Sequence, residues 1–159
     1  MTQHLFAYGT LLPGEAPPGI ASRLAGLRPV ARGTVPGRLY DLGRHPGAVL
    51  DASASGVVHG TVLRLPEDTA LLAVLDAYEG FDSARPERSL FVRVRAVVTV
   101  ADDRMLDCWV YVYNRDPGGQ RLLASGDYLA ERGRPARLTA PGRARSSSRA
   151  PSRRGAPSR

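Results

Sequence analysis

Leu75-Asp76-Ala77-Tyr78-Glu79-Gly80-Phe81 ends a helical pattern and sets a carboxylate where helix physics disfavours one. Upstream, Pro66-Glu67-Asp68 reads as a first turn, with proline where a missing N–H costs nothing and acids beside the positive helix end. Leu71, Leu72, Leu75 and Tyr78 recur at helical spacing and form one apolar stripe, so the pattern predicts a helix over 66–79. Gly80 is its left-handed stop. Glu79 follows Leu75 by four residues and Leu72 by seven, and so projects from the edge of that stripe, close to unpaired carbonyls. Burial and the helix macrodipole both raise the pKa of such a group towards the range of a general base. A glutamate in a last helical turn is more often simply solvated, so a second feature has to decide.

That feature stands near the start of the chain. His4-Leu5-Phe6-Ala7-Tyr8 runs as a strand into Gly9-Thr10-Leu11-Leu12-Pro13-Gly14, a glycine-rich turn. Such a turn can present successive backbone N–H groups to an anion, and Gly9 lets a ligand approach the main chain closely. It has neither the length nor the lysine of a phosphate-cradling loop, and no Gly-x-Ser-x-Gly elbow occurs.

The pairing of Tyr8-Gly9-Thr10-Leu11 with Leu75-Asp76-Ala77-Tyr78-Glu79 resembles the gamma-glutamylcyclotransferase-like superfamily, gamma-glutamylamine cyclotransferases included. Between the two motifs, Gly37-Arg38-Leu39-Tyr40-Asp41-Leu42-Gly43 with Pro46-Gly47, then Val58-His59-Gly60-Thr61-Val62-Leu63, resemble the family's middle strands in order and spacing. The resemblance spans roughly residues 4 to 132. Two positions depart from it: a frequent tyrosine before the middle-loop proline is His45, and an aromatic-x-Arg that is often Tyr-x-Arg is Phe91-Val92-Arg93.

Bulk properties fit one domain with a tail. The 159 residues suffice for a single core. All 22 basic residues are arginine, and the net charge of +7 is unevenly spread. Residues 1–132 hold 14 Arg against 15 acids, whereas 133–159 hold 8 Arg and no acid. The expected organisation is a folded domain over 1–133 and a disordered Arg/Ser/Pro-rich tail over 134–159. Counterion release can give that tail weak, nonspecific affinity for nucleic acid or anionic surfaces, and a solvated tail with no binding role is an equal alternative. The single cysteine, Cys108, sits in an apparent strand and reads as a core thiol. His4, His45 and His59 lack metal-ligand spacing with one another or with Cys108, so no metal site is expected. With no leader-like start and no long apolar run, the reading is a soluble cytoplasmic protein without a membrane span.

Taken in order, the chain is rich in strands. Residues 20–27 suggest a short helix; 30–35 and 38–42 read as strands separated by a tight turn at Pro36-Gly37. Asp41 to Gly47 reads as a loop that walls a pocket. Residues 48–50 and 57–65 follow as strands, and 90–101 with 105–114 as a hairpin. Ser125 to Gly133 closes the domain as a short helix. The expected class is α+β: a small, mixed but mostly antiparallel β-barrel flanked by helices.

The resemblance implies an acyl transfer in which a substrate's own α-amine attacks its γ-glutamyl amide, releasing 5-oxoproline and a free amine with no cofactor or metal. It implies Glu79 as the catalytic acid–base. Tyr8, Gly9, Thr10 and Leu11 would bind the γ-glutamyl substrate through main-chain N–H groups. The alternative is a non-catalytic module of the same fold that binds a small carboxylate. The sequence leaves the parts played by Phe91, Arg93, Tyr111 and Tyr113 open, and with them the identity of the leaving amine. The charge boundary makes a direct forecast: removing residues 134–159 leaves a cooperatively unfolding domain of unchanged midpoint, checked by limited proteolysis and urea titration of the truncated chain.

Overall fold

A computed structural model describes residues 1–132; the domain end at Gly133 and the tail over 134–159, with its nucleic-acid affinity, lie outside the described residues. Seven strands and three α-helices follow in the order β1 (Gln3–Ala7), α1 (Pro18–Leu24), β2 (Arg28–Asp41), β3 (Pro46–Leu50), β4 (Val57–Leu65), α2 (Ala70–Glu79), β5 (Phe91–Val100), β6 (Met105–Tyr113), β7 (Arg121–Leu122) and α3 (Tyr128–Glu131). Five strands close into a barrel in the order β2-β4-β1-β6-β5. Closure comes from Gly33 pairing with Val100 and Thr34 with Thr99. Only β1 and β6 run parallel, meeting at Leu5 and Trp109, so the barrel is mixed but mostly antiparallel, as the strand pattern predicts.

Period-two alternation divides the apolar residues between two cores. Phe6 and Tyr8 point inward with Val35, Val58, Val62, Val98, Val100, Cys108 and Val110. Their neighbours Leu5 and Ala7 point outward to meet Ile20 and Leu24 of α1 and Leu72 and Leu75 of α2. Leu63 and Tyr111 join that outer layer from β4 and β6. Thus β1 is covered on both faces, and the turn that follows it starts from a fixed strand. Cys108 is fully buried, the core thiol its strand context predicts. No helix among the described residues is long and apolar enough to cross a membrane.

The structure corrects two expectations. Pro36-Gly37 makes no turn: β2 runs unbroken through it, and the dipeptide is where the strand changes partners. Up to Pro36 it pairs with β4, and from Gly37 onward with β3. A proline without an N–H suits a place where one ladder ends, so a turn-forming dipeptide can mark a corner between sheets. The far half of β2, with β3 and β7, forms a small second sheet beside the barrel mouth. The second correction concerns α2, which begins at Ala70 and not at Pro66. Asp68 Oδ1 accepts from the Ala70 N–H at 3.1 Å, a local side-chain bond that competes with an earlier helical start. Its end stands where the sequence puts it, with Gly80 at φ 70° and the Phe81 N–H returning to Asp76 O at 2.8 Å.

Three strands meet at one hydroxyl. Tyr8 Oη donates to Tyr111 O of β6 at 2.6 Å and accepts from the Ala48 N–H of β3 at 3.2 Å. The side chain is 7% exposed, so water cannot replace either bond. Tyr8→Phe leaves a buried carbonyl and a buried N–H unsatisfied and should lower stability by about 1–3 kcal/mol, read as a lower urea midpoint at unchanged m-value.

Candidate functional site

The mouth of the barrel gathers segments that are far apart in sequence. Beyond β1, the Leu12 N–H closes the turn on Gly9 O at 2.9 Å, which leaves the N–H groups of Gly9, Thr10 and Leu11 outside that closing bond. Gly9 is required by contact: a Cβ there would lie 2.5 Å from Pro46 Cγ. The turn thus rests on the start of β3. From the other side, Tyr78 Oη donates to Thr10 Oγ1 at 3.3 Å, tying the last turn of α2 to the same loop. Glu15, just past the turn, is ion-paired with Arg132 beyond α3.

Tyr8, Gly9, Thr10, Leu11 and Glu79 all line one cleft, together with His45, Pro46, Phe91 and Tyr111. It is tight, with a free volume of about 20 Å³, room for about one water. The five residues singled out in the sequence are therefore brought together, though not all by their side chains. The Tyr8 phenol is committed to Tyr111 and Ala48, and the Leu11 side chain is packed in the outer core. From Gly9 to Leu11 the groups available to a ligand are backbone N–H groups and the Thr10 hydroxyl. A wider outer chamber of about 380 Å³ adjoins the cleft and shares Thr10, His45, Glu79 and Phe91 with it, adding Arg44, Tyr78 and Leu90.

Two carboxylates lie one turn apart on α2 in opposite circumstances. Asp76 Oδ1 accepts from Tyr111 Oη at 2.7 Å and faces Arg93 Nε at 3.0 Å. The Arg93 guanidinium in turn lies 4.5 Å from the centre of the Trp109 ring, with Phe81 at 5.9 Å on its other contact. Glu79 has neither hydrogen bond nor ion pair among the described residues, and burial pushes its pKa up to about 7. Burial, and for Tyr111 also the Asp76 carboxylate, holds both Tyr8 and Tyr111 well above the ordinary phenol range, so both stay neutral.

Sequence reasoning left Asp76, Arg93 and Tyr111 without a role. Asp76 sits three residues before Glu79, on the same side of the helix, and Arg93 is the register partner of Tyr111 across the β5–β6 hairpin. That spacing was readable; the docking of helix against hairpin was not. The Asp41–Gly47 segment does wall the cleft, through His45 and Pro46. Phe91, at the same mouth, is buried against Tyr113 and His45 with ring centres 5.9 and 5.3 Å away.

A family model described as gamma-glutamyl cyclotransferase, AIG2-like, matches residues 5–130. The chain belongs to that family. YtfP of Escherichia coli K12, described as a gamma-glutamylcyclotransferase family protein, is 37% identical over 94 residues, or 58% of this chain and 67% of YtfP. The solution structure of E. coli YtfP matches 80% of this chain and 96% of its own at 30% identity, with a TM-score of 0.54. A crystal structure of an AIG2-like protein from mouse matches 80% of this chain and 88% of its own at 22% identity, with a TM-score of 0.61, which shows the shared fold. Bacillus subtilis YkqA matches in fold over 82% of this chain (TM-score 0.62, 22% identity), but the chain spans only 41% of that protein.

The raised pKa of Glu79 has a consequence for stability with a definite sign. Its neutral form is favoured in the folded state, so that contribution is fully present below the ordinary value of 4.5 and is lost as pH rises through about 7. Glu79→Gln, permanently neutral and nearly isosteric, should be more stable than wild type at pH 8, by on the order of 2 kcal/mol, and indistinguishable from it at pH 4. Thermal melts of both proteins across that range check this.

Proposed function

We propose that this member of the gamma-glutamylcyclotransferase-like family is an enzyme that cleaves γ-glutamyl amides by internal acyl transfer. The observation that carries the reading is the unpartnered Glu79 carboxyl, with a pKa near neutrality, facing the same cleft as the N–H-bearing turn Tyr8 to Leu11. In the proposed reaction Glu79 takes a proton from the substrate α-ammonium, and the freed amine attacks the γ-carbonyl carbon to close a five-membered ring. The turn N–H groups align the substrate and offset negative charge on the carbonyl oxygen as the tetrahedral intermediate forms. The C–N bond to the leaving amine then breaks as Glu79 returns the proton to that nitrogen, and the surplus proton on the ring nitrogen passes through the regenerated Glu79 carboxylate to the released amine, which departs as its ammonium ion. One amide becomes 5-oxoproline and one amine, and the atoms balance with no further reactant. Because the attack is intramolecular, holding the chain folded onto itself supplies much of the acceleration.

An arriving ammonium favours the ionised form of Glu79, so substrate binding itself prepares the base. Glu79→Gln is expected to abolish 5-oxoproline release from a panel of γ-glutamyl amides while retaining the folded state. In wild type, the acid limb of kcat/KM should fall with an apparent pKa near 7, well above that of an exposed glutamate. Tight binding of small carboxylates with no turnover by wild type would instead identify a binding module.

A further inference from the structure

The loop that joins β2 to β3 holds its last residue, His45, in a fixed place. The Leu42 N–H donates to His45 O at 3.1 Å, and the Gly43 N–H donates to Asp41 Oδ1 at 2.9 Å. Asp41 is itself ion-paired with Arg121 at 3.0 Å, and Pro46 follows His45 directly, packed on Gly9. The imidazole stands edge-on to the buried Phe91 ring, at 5.3 Å between centres and 63° between planes. In that setting its Nδ1 is buried and has no hydrogen-bond partner among the described residues.

Among the described residues the only other buried side-chain nitrogen or oxygen without a hydrogen bond is Arg93 Nε, and that atom faces the Asp76 carboxylate at 3.0 Å, whereas His45 Nδ1 faces no charge. Tyr8, Tyr111 and Trp109 all present polar atoms in or beside the same layer, and each makes a hydrogen bond. A buried polar atom without a partner is a standing cost, and packing against Phe91 gives no reason for a nitrogen there. A ligand would supply the reason. His45 also lies where the inner cleft meets the outer chamber, since it lines both together with Glu79 and Thr10.

On the cyclotransferase reading, the glutamyl half lies in the chamber against the turn, at the entrance of the tight inner cleft, and the leaving amine extends outward from it. The scissile amide joins the two within the chamber that His45 lines. We propose that His45 is a substrate-binding residue of this enzyme, its imidazole turning about χ2 so that Nδ1, closed to solvent as it stands, hydrogen-bonds the leaving-amine side of the γ-glutamyl amide. This inference rests on the cyclotransferase reading and adds a residue to it. His45 would fix the departing nitrogen relative to Glu79, so its contribution falls on the amide and not on the glutamyl end.

The test compares wild type with His45→Phe and His45→Asn, using γ-glutamyl-L-alanine and ε-(γ-glutamyl)lysine as substrates and 5-oxoproline as a product inhibitor that lacks a leaving group. His45→Phe should melt at or above the wild-type temperature, because it removes an unpaired buried atom, while kcat/KM falls about 10- to 100-fold. Inhibition by 5-oxoproline should be unchanged. His45→Asn, which restores a polar atom near the Nδ1 position, should recover most of the lost rate. A destabilised His45→Phe with no rescue by asparagine would make the residue structural and overturn the proposal. So would wild-type turnover in His45→Phe, or an equal loss of 5-oxoproline inhibition. Wild-type protein that forms no 5-oxoproline from either amide removes the cyclotransferase reading itself, and this inference with it; turnover without any His45 effect removes only the inference.

Discussion

The barrel mouth depends on one buried phenol. Tyr8 reaches from the end of β1 to a carbonyl on β6 and an N–H on β3, two strands that do not pair with each other. With water excluded, the geometry of those two bonds is obligatory. It fixes where the following turn leaves the strand, and so where the N–H groups of Gly9 to Leu11 point. Pro46 against Gly9 and Tyr78 against Thr10 then brace the turn from two further directions. A tyrosine ahead of the glycine is therefore needed for architecture as much as for any contact with a ligand.

The second constraint separates the fates of two acids on one helix. Asp76 is neutralised and held by Arg93 and Tyr111, which clamps the end of α2 to the β5–β6 hairpin. That clamp leaves Glu79 desolvated beside the cleft with nothing to offset its charge. A single helical turn thus supplies both an anchor and a poised carboxyl, and environment alone divides the roles. The aromatic and cationic stack of Phe81, Arg93, Trp109 and Arg95 extends the anchor across the barrel wall.

Much of this was legible because the relevant signals are local. Helix α2 ends at Gly80 for reasons written in five adjacent residues, and the valine alternation of β5 identifies it as a strand. The class of fold followed from the number of strands and the placing of few helices. What the sequence could not carry was partner choice. Pro36-Gly37 reads as a turn by local rules, yet it lies within β2 because two separate strands compete for the halves of that long segment. Asp68 binding the Ala70 N–H shortens α2 in a way that propensity does not anticipate. The union of Asp76, Arg93 and Tyr111 depends on the angle at which helix meets hairpin, which no periodicity encodes.

The neighbours of β1 also bear on how the molecule assembles. Gln3 to Ala7 pair with Thr61 to Leu65 and, through Leu5, with Trp109, so every strand partner of the first segment lies more than fifty residues downstream. The β5–β6 hairpin and the β2–β3 hairpin close short loops and can form early, whereas β1 must wait for both of its flanks. On a ribosome a segment made before all of its partners would be among the last to settle. Until it does, Tyr8 has no Tyr111 carbonyl and Glu79 has no cleft to face. The cleft is then complete only after this last pairing, and partly folded chains lack it.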